Sequence, residues 1–243
     1  MITKNDIELN YWILINEIGS YNDKWADIVT TKTDILDGLI KNIDPTTKAV
    51  LFTSFNPIAL ELSNNYDVSV ICDESFSSTF DFTNIKRFSK VEELSQKYDV
   101  VIALDEYFTY ADSEDQQRHL LGQLVPYIDG WLITTLQDYK NFAPHKKNQI
   151  DALVINGEHN YIVLENSIAD RTDKQVWDHY FYCIQDHLDL MTIGPIKRRT
   201  MYFKQLAKYS SDAGSKQYVI QKNLLYKGFF SKNFEHIITV KFK

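Results

Sequence analysis

Between Lys48 and Leu136 short runs of β-branched and aliphatic residues alternate with segments of helical character, and no other feature of this sequence narrows the fold as much. The runs Val50–Phe52, Val68–Cys72, Ile85–Phe88, Asp99–Leu104 and Trp131–Leu136 read as strands. Between them lie a helical stretch from Pro57 to Ser63, the helical "KVEELSQ" beginning at Lys90, and a helix from Ser113 to about Val125. Ser113 and Gln116 open that last helix at the spacing of a capping box. Strand and helix exchanged at this interval imply parallel pairing, because a helix is what carries the chain back to start the next parallel strand. The expected core is therefore a doubly wound α/β sheet with helices on both faces.

The flanks have a different texture. Two helical patterns, Ile7–Ile18 and Trp25–Ile43, make residues 1–45 an N-terminal helical region that stops at Asp44-Pro45. Beyond the sheet, Ala152–Ile155 and Tyr161–Leu164 flank Asn156-Gly157, the signature of a hairpin turn. Thr172 and Gln175 then have capping-box spacing, and Trp177, Tyr180, Phe181, Ile184, Leu188 and Met191 recur with a period near 3.6, which predicts a helix. Gly194-Pro195 should end it, and a second helix is expected from about Arg198 to Ser211. Tyr218–Leu225 and His236–Phe242 read as strands whose connection is too short for a crossover helix, so they should pair antiparallel. The expectation is one domain over residues 1–243, with the hairpin and helix of 145–192 as an insertion or substrate cap.

Composition excludes several classes. A chain of 243 residues, 44% hydrophobic, supports one sizeable core. No run approaches the roughly 20 apolar residues of a membrane span, and the first residues lack a signal-peptide pattern, so a soluble cytoplasmic protein is expected. Cys72 and Cys183 have no partner at metal or redox spacing. His179, Cys183 and His187 would share a helix face but span too much of its axis for one ion, and no metal is expected. No nucleophile elbow, P-loop or zinc-protease helix occurs. The net charge of -7 is divided unevenly: residues 1–170 carry 13 basic against 27 acidic side chains, and residues 171–243 carry 13 against 6. A basic final third is a surface on which an anionic partner could dock.

Two stretches carry a family resemblance. "YDVVIALDEYFTYADSEDQQRHLLGQLVPYIDGWLITT", Tyr98 to Thr135, resembles the fourth strand, post-strand motif, helix and fifth strand of class I S-adenosylmethionine-dependent methyltransferases. "VSVICDES" places Asp73 after the second strand, where that family keeps the acidic residue that holds the cofactor ribose. The resemblance covers about residues 48–136 and extends to the terminal strand pair. It implies a Rossmann-like methyltransferase sheet, mostly parallel with an antiparallel C-terminal pair, and S-adenosylmethionine as cofactor.

Carried over to this chain, the family pattern assigns cofactor contacts to Thr53, Ser54, Phe55, Asn56, Asp73, Glu74, Ser89, Leu104 and Asp105. Asp105, Glu106, Tyr107 and Tyr110 become candidates for holding the acceptor or taking its proton. Tyr139, Arg198 and Arg199 are candidate acceptor contacts, with Arg198 and Arg199 offering planar donors suited to phosphate. The sequence departs from the pattern at the first turn. Thr53-Ser-Phe-Asn-Pro57 stands where the family has Gly-x-Gly, and the Asx-Pro-Pro-Tyr motif of enzymes acting on DNA amines is absent. The implied activity is methyl transfer to an acceptor that could be anionic or a nucleic acid. The alternative is a non-catalytic protein of the same fold that binds a nucleic acid or a protein partner, which a Phe55 ring filling the space outside Thr53, Asp73 and Leu104 would favour.

Overall fold

The computed structural model describes residues 23–78, 80–138, 149–155, 160–170, 176–184, 190–226 and 234–243. The expected helix Ile7–Ile18, the Asn156-Gly157 turn and Tyr139 lie outside them. Helix α1 (Asp23–Ile43) leads into β1 (Ala49–Phe52), the short α2 (Ile58–Leu62), β2 (Asp67–Ile71), β3 (Lys86–Phe88) and β4 (Tyr98–Ala103). Helix α3 (Glu114–Leu124) and β5 (Ile128–Leu136) follow. After a second sheet, α4 (Phe203–Asp212), β10 (Gln217–Tyr226) and β11 (Phe234–Lys241) close the fold.

The main sheet has seven strands in the order β10-β11-β5-β4-β1-β2-β3. Pairings among β1 to β5 are parallel, and β11 runs antiparallel to both β10 and β5. The expected pattern of parallel strands with one reversed strand is what the chain adopts. Its central strands β1 and β4 are apolar almost without interruption because both faces are covered. Val50, Phe52, Val100, Ile102 and Ile133 face the core shared with α1 and α2. Leu51, Val101, Ala103 and Leu132 face the opposite core, with Leu121 and Leu124 of α3 and Leu206 of α4. At the head of α3 the hydroxyl of Ser113 accepts the Gln116 amide at 3.1 Å, as the capping spacing predicts.

The amino ends of the parallel strands are closed tightly. Asp99 Oδ2 accepts the amides of Lys48 at 2.8 Å and Ala49 at 2.9 Å. Beside it, Gly130 lies so close to β4 that a Cβ would sit 2.6 Å from the Asp99 carbonyl oxygen. Lys243 and Asp129 form an ion pair at the same edge.

The second sheet corrects the sequence reading of residues 145–211. It is antiparallel, in the order β6-β7-β8-β9, formed by β6 (Gln149–Ile155), β7 (Asn160–Asp170), β8 (Val176–Ile184) and β9 (Leu190–Arg199). The hairpin is present as β6 and β7, but the expected helix through Trp177, Tyr180, Phe181 and Ile184 is strand β8, and Met191 belongs to β9. Val176–Ile184 reads "VWDHYFYCI", rich in aromatic and β-branched side chains. When such residues occupy both faces of a strand, spacings of three and four arise by coincidence, and strand preference decides.

Gly194-Pro195 lies within β9, near the irregular pairing between His179 and Phe181 of β8, and β9 is an edge strand. A proline is tolerated there because an edge leaves one side of the ladder unpaired. Lys197, Arg198 and Arg199 therefore end a strand, and the expected helix from Arg198 begins only at Phe203. "KVEELSQ" is likewise reduced to a single 3-10 turn, Val91–Glu93.

Candidate functional site

In an open α/β sheet, ligands gather outside the carboxyl ends of the strands where the strand order reverses. Here β1 is flanked by β2 and β4, so the reversal lies between β1 and β4. The turn after β1 and the loop after β4 face one another there, and the structure brings most of the expected site residues to them.

The β1 turn is built without glycine. The Thr53 amide donates to the Ile102 carbonyl at 3.0 Å, which pins the turn to β4. The Thr53 hydroxyl is buried, with no hydrogen-bond partner among the described residues. Asn56 does two jobs: its Oδ1 accepts the Ile58 amide at 3.1 Å, and its Nδ2 donates to Asp105 Oδ2 at 3.0 Å. Ser54 is half-buried. Phe55 is only 1% exposed, and its ring packs at 4.4 Å from Phe80, 5.1 Å from Phe76 and 5.6 Å from Phe82, centroid to centroid. The side chain that replaces a glycine is thus spent in binding the β1 turn to the segment after β2.

Asp73 closes a local turn after β2. Its Oδ1 accepts both the Ser75 hydroxyl at 2.7 Å and the Ser75 amide at 2.9 Å, which holds the carboxyl below the usual aspartate range. Oδ2 has no hydrogen-bond partner among the described residues. Glu74 is exposed, and its carbonyl lies 3.5 Å from the Arg87 guanidinium. Ser89, after β3, is exposed and its amide is taken by Glu93.

The loop after β4 holds a constrained backbone. Asp105 and Glu106 have φ of 52° and 57°, two consecutive non-glycine residues in the left-handed region. Each such residue costs on the order of 1 kcal/mol or more, and such strain persists only where surrounding structure imposes it. Leu104 is buried beneath them. Glu106 is fully buried, where its carboxylate accepts the Gln137 amide at 3.3 Å and its own amide donates to the Thr135 hydroxyl at 3.3 Å. Tyr107 and Tyr110 are half-buried, and Tyr107 packs edge-on against the buried Phe108 at 5.3 Å.

Two charged residues that sequence reasoning passed over are buried in the core. Lys32 of α1 is 1% exposed, and Glu235, near the start of β11, is fully buried. Burial pushes the Lys32 ammonium below the usual lysine range, opposed by the Asp105 and Glu235 carboxylates. A signal was present: Lys32 occupies the apolar stripe Val29, Leu36 and Ile40 of α1, a place where a lysine is rarely buried without partners.

The candidate acceptor arginines are remote from these loops in sequence and lie at the end of β9. Arg199 Nη2 is 3.4 Å from Glu114 Oε1 of α3, and its carbonyl, like that of Thr200, accepts from the buried Gln117 amide nitrogen. Arg199 is thereby committed to anchoring the second sheet. His179 and Cys183 belong to β8, and His187 falls outside the described residues.

No family model matches the sequence, and no curated protein matches it. Solved structures do match in fold. The amino pentose methyltransferase CalS10 of Micromonospora echinaspora, solved with S-adenosylmethionine bound, superposes with a TM-score of 0.67 at 12% identity, over 93% of this chain and 94% of that one. The sugar N-methyltransferase KedS8 of a Streptoalloteichus species gives 0.68 at 9% identity, over 90% and 89%. DesVI of Streptomyces venezuelae gives 0.68 at 10% identity, over 99% and 98%. The chain has the fold of class I S-adenosylmethionine-dependent methyltransferases. Among the described residues no helix is long and apolar enough to cross a membrane.

Proposed function

We propose that this protein is an S-adenosylmethionine-dependent methyltransferase. The observation that carries the reading is the state of Asp73, after the strand beside β1: one carboxylate oxygen is fixed by Ser75 and the other has no hydrogen-bond partner among the described residues. A ribose diol presents two donors to such a carboxylate. The partnerless buried hydroxyl of Thr53 is a second polar atom in the β1 turn that a ligand would satisfy.

The cofactor supplies a methyl group on a sulfonium, which passes directly to an acceptor lone pair. What the chain must contribute is alignment and exclusion of water. Asp73 holds the ribose. The Thr53–Asn56 turn and Leu104 bound the cofactor, and Asp105, Glu106, Tyr107 and Tyr110 form the wall nearest the acceptor. The second sheet takes the place assigned in sequence to a substrate cap, within what we take to be a single domain. The neutral thioether product of the cofactor should be bound as well, and isothermal calorimetry with both forms is the direct test. Absence of binding at millimolar ligand would overturn the reading.

One observation favours a second reading, a non-catalytic protein of this fold. Phe55, buried in its cluster of rings, stands where glycines admit a cofactor's close approach. The calorimetry separates the two readings.

The acceptor reading from the basic third places an anionic acceptor, including a nucleic acid, at Arg198, since Arg199 is held by Glu114. Binding of a single-stranded oligonucleotide that falls linearly with log salt, with a slope shallower by about one unit in Arg198→Ala, is the expected outcome. Salt-independent binding would leave a small acceptor, of the kind named for the amino-sugar enzymes above, as the substrate class.

A further inference from the structure

Two consecutive left-handed residues must be held from outside, and bonds reach Asp105 and Glu106 from the strands on either side of β4. Glu106 is tied to the end of β5: its amide donates to the Thr135 hydroxyl and its carboxylate accepts the Gln137 amide, both at 3.3 Å. Asp105 is tied to the β1 turn, where its Oδ2 accepts Asn56 Nδ2 at 3.0 Å, across 49 residues of sequence. Asn56 is only 1% exposed, so its amide must find partners inside the protein. Its Oδ1 is taken by the Ile58 amide at 3.1 Å, which turns Nδ2, the donor, toward the carboxylate. We propose that Asn56 is a positioning residue: through this bond the glycine-free β1 turn sets Asp105, and with it the loop that walls the site.

The residue type is what the role requires. One short side chain must accept a backbone amide and donate to a carboxylate at the same time, which an amide does and a carboxylate cannot. A hydrogen bond to an ionised acceptor is also stronger than one between neutral groups, enough to matter against the strain of the left-handed backbone. Both polar atoms of Asn56 are engaged by the protein, so a side chain that the family pattern assigns to the cofactor works here on the chain itself. As a statement about ligand binding the inference rests on the methyltransferase reading. As a statement about the loop it does not.

The test separates those two levels. In ligand-free protein, Asn56→Asp keeps an acceptor for the Ile58 amide but sets a second carboxylate against Asp105. The Tyr107 and Thr109 amides donate to the Leu104 and Glu106 carbonyls, and their protection from hydrogen exchange should fall about tenfold or more relative to Val240 of β11, while Ile58 stays near wild type. The paired variant Asn56→Asp/Asp105→Asn reverses donor and acceptor, and asparagine tolerates the left-handed backbone as aspartate does, so loop protection should return. Wild-type loop protection in Asn56→Asp, or a loss that the paired variant does not recover, overturns the proposal. If Asn56→Asp does not fold, the melting temperature answers instead: recovery in the paired variant upholds the bond and failure to recover overturns it. Calorimetry with S-adenosylhomocysteine should show binding about tenfold weaker in Asn56→Asp, and unchanged affinity beside lost loop protection would overturn the part of the proposal that concerns ligand binding. Lost loop protection in a protein whose wild type binds no S-adenosylhomocysteine would uphold the positioning role and sink the methyltransferase reading.

Discussion

The two ends of the parallel strands are built from the same residue types and to opposite purposes. At the amino ends, Asp99 spends one oxygen on two backbone amides, and Gly130 lets β5 approach β4 at a distance no side chain would allow. There the backbone itself is paired and packed, with two strand-end amides taken and the two strands in contact. At the carboxyl ends, Asp73 Oδ2 and the buried Thr53 hydroxyl have no hydrogen-bond partner among the described residues, and Asp105 and Glu106 hold a backbone conformation that costs energy. Asp99 and Asp73 each spend one carboxylate oxygen on two donors, so the aspartate alone does not separate the two ends; the close backbone approach at one and the strained backbone and buried hydroxyl at the other do. Substitutions at the two ends should consequently separate, the amino end affecting stability alone and the carboxyl end affecting ligand affinity.

The largest effect is expected at Gly130→Ala. Its Cβ would meet the Asp99 carbonyl at 2.6 Å, backbone against backbone, so strands β4 and β5 must move apart. A loss of about 1–3 kcal/mol in urea unfolding is expected, with unchanged affinity for S-adenosylhomocysteine in the folded protein. A tenfold affinity loss there would break the separation. Next comes Asp73→Ala, which should weaken S-adenosylhomocysteine binding about tenfold, some 1.4 kcal/mol, while moving the unfolding free energy by less than about 0.5 kcal/mol. Equal affinities in the two proteins would remove the ribose role of Asp73. Asp99→Ala should cost about 1 kcal/mol of stability, because the Lys48 and Ala49 amides are near enough to solvent to find water, and should leave affinity alone.

The smallest effect is one of pH. Hydrogen bonds from Ser75 depress the Asp73 carboxyl, so what the ionised group contributes is fully present above the ordinary aspartate range and is lost only as pH falls through the lowered value. Cofactor affinity, so far as Asp73 decides it, should stay flat from pH 7 to about 5. A titration of affinity within that window would assign the dependence to another group.

The main sheet was legible because two-sided burial leaves a plain mark: Val50–Phe52 and Val100–Leu104 are apolar without interruption, and β1 and β4 lie within a residue or two of those bounds. Asp73 was singled out by its place after the second strand, where the resembling family keeps an acid; its bonds to Ser75 came only with the structure. Long-range arrangements were not. β8 was read as a helix because aromatic side chains on both strand faces mimic a helical stripe, and only pairing with β7 and β9 resolves it. Lys32 was passed over although it stands in the apolar stripe of α1, because the carboxylates that oppose the effect of its burial are 73 and roughly 200 residues further along. The direction of Phe55 depended on rings at Phe76, Phe80 and Phe82 that no local pattern connects to it.

The place of β11 in the sheet bears on when the site comes into being. It is the last strand in the sequence, yet it is inserted between β5 and β10, and its register joins Lys241 to Trp131 and His236 to Leu136. As the chain emerges during synthesis, the β5 edge stays open until β11 arrives, and contacts of such long sequence separation are slow to close. Glu235 travels on that strand. The buried Glu235 carboxylate is therefore delivered by β11, and the β5 edge is closed only when that strand has paired.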